Sequence, residues 1–157
     1  MIINNYRKTI IVKLRRFAIA VTIMVIIIIA LMTELLNFFE NSHIYISVIL
    51  GSSYILYYLI EYFLNYNYIY YTDEGKKLIF RFYSMRMFQG VKKAIEIPKE
   101  TFVRYEVKTS FFGTKSLLIL YRVHQKEIIK YPPLNITLLK KGEKLNIYSS
   151  LNKFKKK

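Results

Sequence analysis

Phe17–Thr33 reads FAIAVTIMVIIIIALMT, seventeen residues without a charge. As a helix this run rises about 26 Å, close to the hydrocarbon thickness of a bilayer. A second apolar run, Ile44–Ile60, follows a short polar break. Carrying the first through Leu36 and the second through Leu64 brings both near spanning length. The reading is a membrane α-hairpin over 17–64, with spans 17–36 and 44–64 joined by an outer loop 37–43. Residues 1–16 are then a basic cytoplasmic N-terminus, and 65–157 a cytoplasmic, mainly-β domain.

Charge sets the orientation. Before the first span stand Arg7, Lys8, Lys13, Arg15 and Arg16 with no acid, and Lys76, Lys77 and Arg81 follow the second, whereas the loop NFFENSH carries no Lys or Arg. The positive-inside rule therefore puts both chain ends in the cytoplasm of a multi-pass protein of the inner or plasma membrane. Phe38, Phe39 and Tyr45 fall at the outer interface, and Tyr57, Tyr58, Tyr62, Phe63 and Tyr66 at the inner one, as two aromatic belts. The first run is too long for a secretory signal and no A-x-A site follows it, so it reads as an uncleaved anchor. Pairing the spans antiparallel sets Ala30 near Gly51 and Glu34 near Ser47. Ser47 and Gly51 share a helix face, so a small-residue hairpin seam is expected at Ala30, Ser47 and Gly51. Glu34 and Glu61 mark span ends, where a carboxylate reaches water; the alternative is a role in an ion path.

Beyond Leu64 the chain holds 20 Lys/Arg against 7 Asp/Glu, a net of +13 of the whole chain's +15. The pattern there changes to strand-length alternation. Tyr68–Thr72 stops at the turn Asp73-Glu74-Gly75, and Lys77–Tyr83 puts Leu78, Phe80 and Phe82 on one face, so the pair forms a hairpin. A strand over Val91–Ile97 ends at Pro98. Thr101–Lys108 sets Val103, Tyr105 and Val107 against Phe102, Arg104, Glu106 and Lys108. Phe111-Phe112-Gly113 is a turn with an apolar anchor. Ser116–Val123, apolar on both faces, is the expected central strand, and Lys126–Tyr131 a short one closed by Pro132-Pro133. Leu145, Tyr148, Leu151 and Phe154 form one stripe of a C-terminal helix over about 140–154.

Six antiparallel strands closed by an amphipathic helix is the element order of a pleckstrin-homology-like barrel. YYTDEGKKLIF (Tyr70–Phe80), IEIPKETF (Ile95–Phe102) and FFGTKSLLILY (Phe111–Tyr121) resemble successive pieces of the bacterial pleckstrin-homology-like domains that follow transmembrane hairpins. The resemblance covers about Tyr66–Phe154. It implies a barrel capped by a helix and held near a membrane. The family's basic residue soon after the turn aspartate is displaced here by Glu74-Gly75, and its basic first loop is missing, so headgroup binding is not carried over.

Catalytic chemistry finds no footing. There is no cysteine, hence no disulfide or thiol nucleophile, and the two histidines, His43 and His124, stand apart. No G-x-S-x-G, Walker loop, G-x-G-x-x-G or HExxH pattern occurs. Neither a metal nor a cofactor is implied, and the expectation is a non-enzyme. The partners expected are the lipid bilayer and an unidentified protein, with homo-oligomers formed through the hairpin; nucleic acid is not expected, since the aromatics mostly alternate inward. The leading function is a membrane-anchored binding or scaffold protein; the alternatives are an anionic-lipid headgroup sensor and a subunit of a small transport assembly. Under the sensor reading, Lys76, Lys77, Arg81, Lys92, Lys93, Lys153, Lys155, Lys156 and Lys157 meet the membrane surface. Under the plainer reading these are solvated lysines.

Overall fold

In the computed structural model the chain is described at residues 1–32, 42–86 and 91–155. Its elements run β1 (Ile2–Asn4), α1 (Tyr6–Met32), α2 (Ser42–Leu64), β2 (Asn67–Thr72), β3 (Lys77–Ser84), β4 (Lys93–Pro98), a single 3-10 turn (Lys99–Thr101), β5 (Phe102–Ser110), β6 (Lys115–His124), β7 (Glu127–Lys130), β8 (Leu134–Asn135) and α3 (Lys141–Phe154). An N-terminal helix thus precedes mainly antiparallel sheet and a C-terminal helix. Two compact units result, one of Met1–Thr9 with Leu64–Lys157, the other of Ile10–Phe63.

In the β unit one sheet has the order β1-β2-β3-β4, and a second has β5-β6-β7 with β8 also on β6. The β2–β3 hairpin turns through Asp73–Lys76, where Gly75 takes φ +72, a value glycine reaches without steric cost. Strand β6 is central: it pairs with β5 on one side and with β7 and β8 on the other. The core joins both sheets to α3. Ile69, Tyr71, Leu78, Phe80, Ile95 and Ile97 come from the first sheet, Phe102, Leu118 and Leu120 from the second, and Ile147 and Leu151 from the helix. These side chains supply the apolar burial that holds the unit together.

Three expectations are corrected here. Residues 1–16 are not a plain basic tail: Ile2–Asn4 pairs antiparallel with β2, Ile3 is buried, and α1 begins at Tyr6 rather than Phe17. A three-residue strand has no periodicity to read; only its distant partner defines it. In β5 the expected unbroken alternation of Val103, Tyr105 and Val107 against Phe102, Arg104, Glu106 and Lys108 fails. The register shifts between Phe102 and Arg104, so Phe102, fully buried, shares a face with Tyr105, which packs on the core; Val107 lies on the Tyr105 side but in the exposed end of the strand, and is 42% exposed. A bulge inserts one residue and turns both Phe102 and Tyr105 to the same face. In α3 the buried residues are Ile147, Ser150 and Leu151, with Tyr148 and Phe154 packed beside them, while Leu145 faces out. A strict period of three drifts off a face that repeats every 3.6 residues.

In the helical unit, Glu61 of α2 is buried. It accepts hydrogen bonds from Arg15 Nη2 at 2.6 Å, from Arg16 Nε, and from Tyr57 Oη at 2.9 Å. This carboxylate does not simply reach for water, as expected of an interfacial Glu. Arg15 and Arg16 lie on α1 because that helix starts before its apolar run. Ala30 is buried, and Ser47 and Gly51 are half-buried. A Cβ built at Gly51 meets nothing within 4 Å among the described residues, so glycine is not required there for close helix approach. Glu34, Phe38, Phe39 and the expected outer loop up to residue 41 lie outside the described residues; α2 begins at Ser42.

Candidate functional site

The β unit has two ends. One is where its chain passes into α2, through Leu64, Asn65 and Tyr66. Asn65 takes φ +45, the left-handed conformation that asparagine tolerates best among non-glycine residues and that commonly ends a helix. Buried Asn135 of β8 clasps this junction: its Nδ2 donates to the carbonyls of Leu64 and Asn65, each at 2.6 Å. Its Oδ1 accepts from the Thr137 amide at 3.1 Å and from the Thr137 hydroxyl at 2.5 Å. Ser84 closes the same end by donating to Asn65 Oδ1 at 2.8 Å.

Asn135 faces Leu117 of β6, and Lys115 of that strand faces Ser110 of β5. The turn joining β5 to β6, Phe111–Thr114, is therefore at this exit end. Its three leading residues all have positive φ, +55 at Phe111, +52 at Phe112 and +79 at Gly113. Thr114 locks the turn, its amide donating to the Phe111 carbonyl at 3.1 Å and its hydroxyl to the same oxygen at 2.6 Å. Phe112 is 101% exposed.

Lysines crowd the same end. Lys144 on the first turn of α3 donates to Ser116 Oγ at 3.1 Å, and Lys8 donates to the Leu138 carbonyl at 2.8 Å. Burial first, and then the charge of Lys8, push the Lys144 ammonium below its ordinary value. Glu143 is the acid beside them, 3.9 Å from Lys8, and its carboxylate is engaged by the Lys140 amide at 2.6 Å. Lys108 lies across from Leu117.

The other end is closed differently. The Met1 ammonium donates to Asp73 Oδ1 at 2.7 Å, Ser150 donates to Asp73 Oδ2 at 2.5 Å, and Tyr71 Oη lies 2.7 Å from Ser150 Oγ. Burial lifts the Tyr71 phenol to about 12. Burial alone would also raise the Asp73 carboxyl; the hydrogen bonds from the Met1 ammonium and Ser150 outweigh it and hold the group below its ordinary value.

The expected basic set divides between these ends. Lys76 and Lys77 flank the β2–β3 turn, and Lys99, whose amide bonds the Lys76 carbonyl, stands 4.5 Å over the Phe154 ring, so Lys153 and Lys155 belong with them at the Asp73 end. Lys77 pairs with Glu96 at 3.0 Å. Lys92 and Lys93 are exposed at the start of β4, where Lys93 faces Phe82; the step from Lys77 to Phe82 along β3 spans about 17 Å. Arg81 is exposed between them, and Lys156 and Lys157 lie outside the described residues. Lys8, Lys108, Lys115 and Lys144 were not among the expected residues. For Lys108 and Lys115 the sequence signal was a stretch from Val107 to Leu118 with no acid and two phenylalanines at its middle; Lys8 and Lys144 lie outside that stretch.

His124 is exposed at the end of β6, facing Glu127, and the His43 side chain lies outside the described residues. Among the described residues no cluster of three or more His, Cys, Asp or Glu is placed to hold a metal ion. No protein-family model, curated protein or solved structure matches this chain.

Proposed function

We propose that this chain is a non-enzymatic, membrane-anchored binding or scaffold module that presents a pleckstrin-homology-like β unit at the cytoplasmic face. The observation that carries this reading is apolar surface left open along both long helices. Ile44–Leu64 is long and apolar enough to cross a membrane, with a mean hydropathy of 1.5. Ile49 at 64%, Leu56 at 61% and, on α1, Phe17 at 70% are turned outward. Water would penalise that surface, whereas lipid would not. α1 supplies the second span, since Phe17–Met32 carries no charge, and the clasp of Arg15 and Arg16 on Glu61 holds the two helices antiparallel at one end. The test is flotation of the full-length chain with its native membrane before and after an alkaline carbonate wash. Retention after the wash supports the reading; release into the soluble fraction overturns it.

The lysine crowding at the exit end favours a second reading, that the β unit senses anionic headgroups. Hydrogen exchange of the full chain in nanodiscs separates the two. Slower exchange around Lys108–Lys115 in anionic than in zwitterionic lipid supports sensing, and equal exchange refutes it.

A further inference from the structure

Phe111 and Phe112 are misplaced by every rule of a soluble turn. Both hold left-handed φ values, which glycine or asparagine adopt at lower cost. Neither belongs to the core, and Phe112 is fully exposed, its ring centroid 6.1 Å from that of Phe111 in an edge-on pair. The backbone is held in this shape by two hydrogen bonds from Thr114 to one carbonyl, so the display of the rings is built in. Strain kept at a surface where it stabilises no packing points to use.

We infer that the Phe111-Phe112 tip inserts into the boundary between headgroups and acyl chains of the bilayer, flanked by Lys108 and Lys115 on anionic headgroups. Aromatic rings settle at that depth, and basic side chains beside them gain from negative lipid. Two features select lipid over a second copy of this chain. The tip shares the end of the β unit where Asn135 grips Leu64 and Asn65, the residues that lead into α2. Val107–Leu118 is purely basic in charge, so two tips meeting each other would bring lysines together. The inference rests on the membrane-anchored reading above.

The chain contains no tryptophan, so one substitution creates a unique fluorophore. Three full-length variants are reconstituted in vesicles of phosphatidylcholine and phosphatidylglycerol, with and without acyl chains brominated near the headgroup. Leu56→Trp reports the α2 span, Phe112→Trp the tip, and Leu145→Trp an outward position on α3. The expected result is blue-shifted emission, lost on bromination, for Leu56→Trp and Phe112→Trp, and aqueous iodide quenching for Leu145→Trp alone. Adding Lys108→Glu to Phe112→Trp is expected to restore iodide quenching. If Leu56→Trp responds to bromine while Phe112→Trp responds only to iodide, the tip inference fails and the anchor stands. A blue shift at Phe112→Trp without bromine quenching means a protein contact and overturns the inference. If Leu56→Trp itself ignores bromine, the anchor reading falls and the tip inference with it.

Discussion

Replacing Asn5 with alanine should unseat the N-terminal segment from the β unit. Asn5 is 2% exposed; its Nδ2 donates to the Asn67 carbonyl at 2.9 Å, and its Oδ1 accepts from the Ile69 amide at 2.8 Å. Both backbone groups belong to β2, where Ile69 is fully buried and Asn67 nearly so. Alanine removes both partners, and each orphaned buried group costs about 1–3 kcal/mol. Asn67 retains a little solvent contact, which puts the sum near the low end, at about 3 kcal/mol. With urea slopes of about 1–3 kcal/mol per molar, the unfolding midpoint should fall by about 1–3 M. The assay is urea unfolding in mild detergent, read by near-ultraviolet circular dichroism of the tyrosines, with hydrogen exchange at the Ile69 amide as a local readout. Asn4→Ala is the control: Asn4 is exposed, and its side chain accepts from the Tyr6 amide at a long 3.4 Å, so its cost should stay under about 0.5 kcal/mol. If Asn5→Ala and Asn4→Ala unfold together, the stapling of α1's start to β2 is wrong.

Lys126→Gly should stabilise the β unit by about 0.5 kcal/mol, seen as a small rise in midpoint, because Lys126 holds φ +69 in the two-residue β6–β7 turn and glycine escapes the Cβ penalty there. The depressed Asp73 carboxyl contributes stability that is present above its unfolded value, about 3.9, and is lost as pH falls through the lower folded value. Asp73→Asn should therefore flatten the acid limb of a midpoint-against-pH curve while lowering the midpoint at neutral pH. Glu61→Ala leaves Arg15 and Arg16 facing each other without their shared carboxylate. About 3 kcal/mol is expected, the lower part of the range for a broken buried pair because Arg15 stays half open, and it should appear as earlier thermal unfolding of the helices in detergent.

Local chemistry was readable where the chain acts on its near neighbours. The Asp73–Lys76 turn, the alternation through Leu78 and Phe80, the two-faced apolar run that becomes β6, and the helix ending at Phe154 all announced themselves within a dozen residues. What escaped depends on pairing across the chain. Ile2–Asn4 is a strand only because β2, some seventy residues later, has an open edge. The bulge between Phe102 and Arg104 puts Phe102 on the same side as Tyr105, where unbroken alternation sets them opposite. Glu61 read as a solvated span end because its partners lie in a basic segment taken for a tail. The exit-end site was hidden for the same reason: Lys8 and Lys144, far apart in sequence, come near each other through Leu138 and Ser116, and Lys108 reaches the same end of the sheet by pairing across from Leu117.

The central claim is that two apolar helices hold the β unit at the cytoplasmic side of a membrane. Because the chain lacks cysteine, single cysteines placed at Ser42 and at Lys155 can be probed in intact cells with a membrane-impermeant maleimide. Labelling of Ser42→Cys, with Lys155→Cys labelled only after the cells are opened, is the predicted result. Labelling of Lys155→Cys from outside, or protection of both positions until lysis, would contradict it.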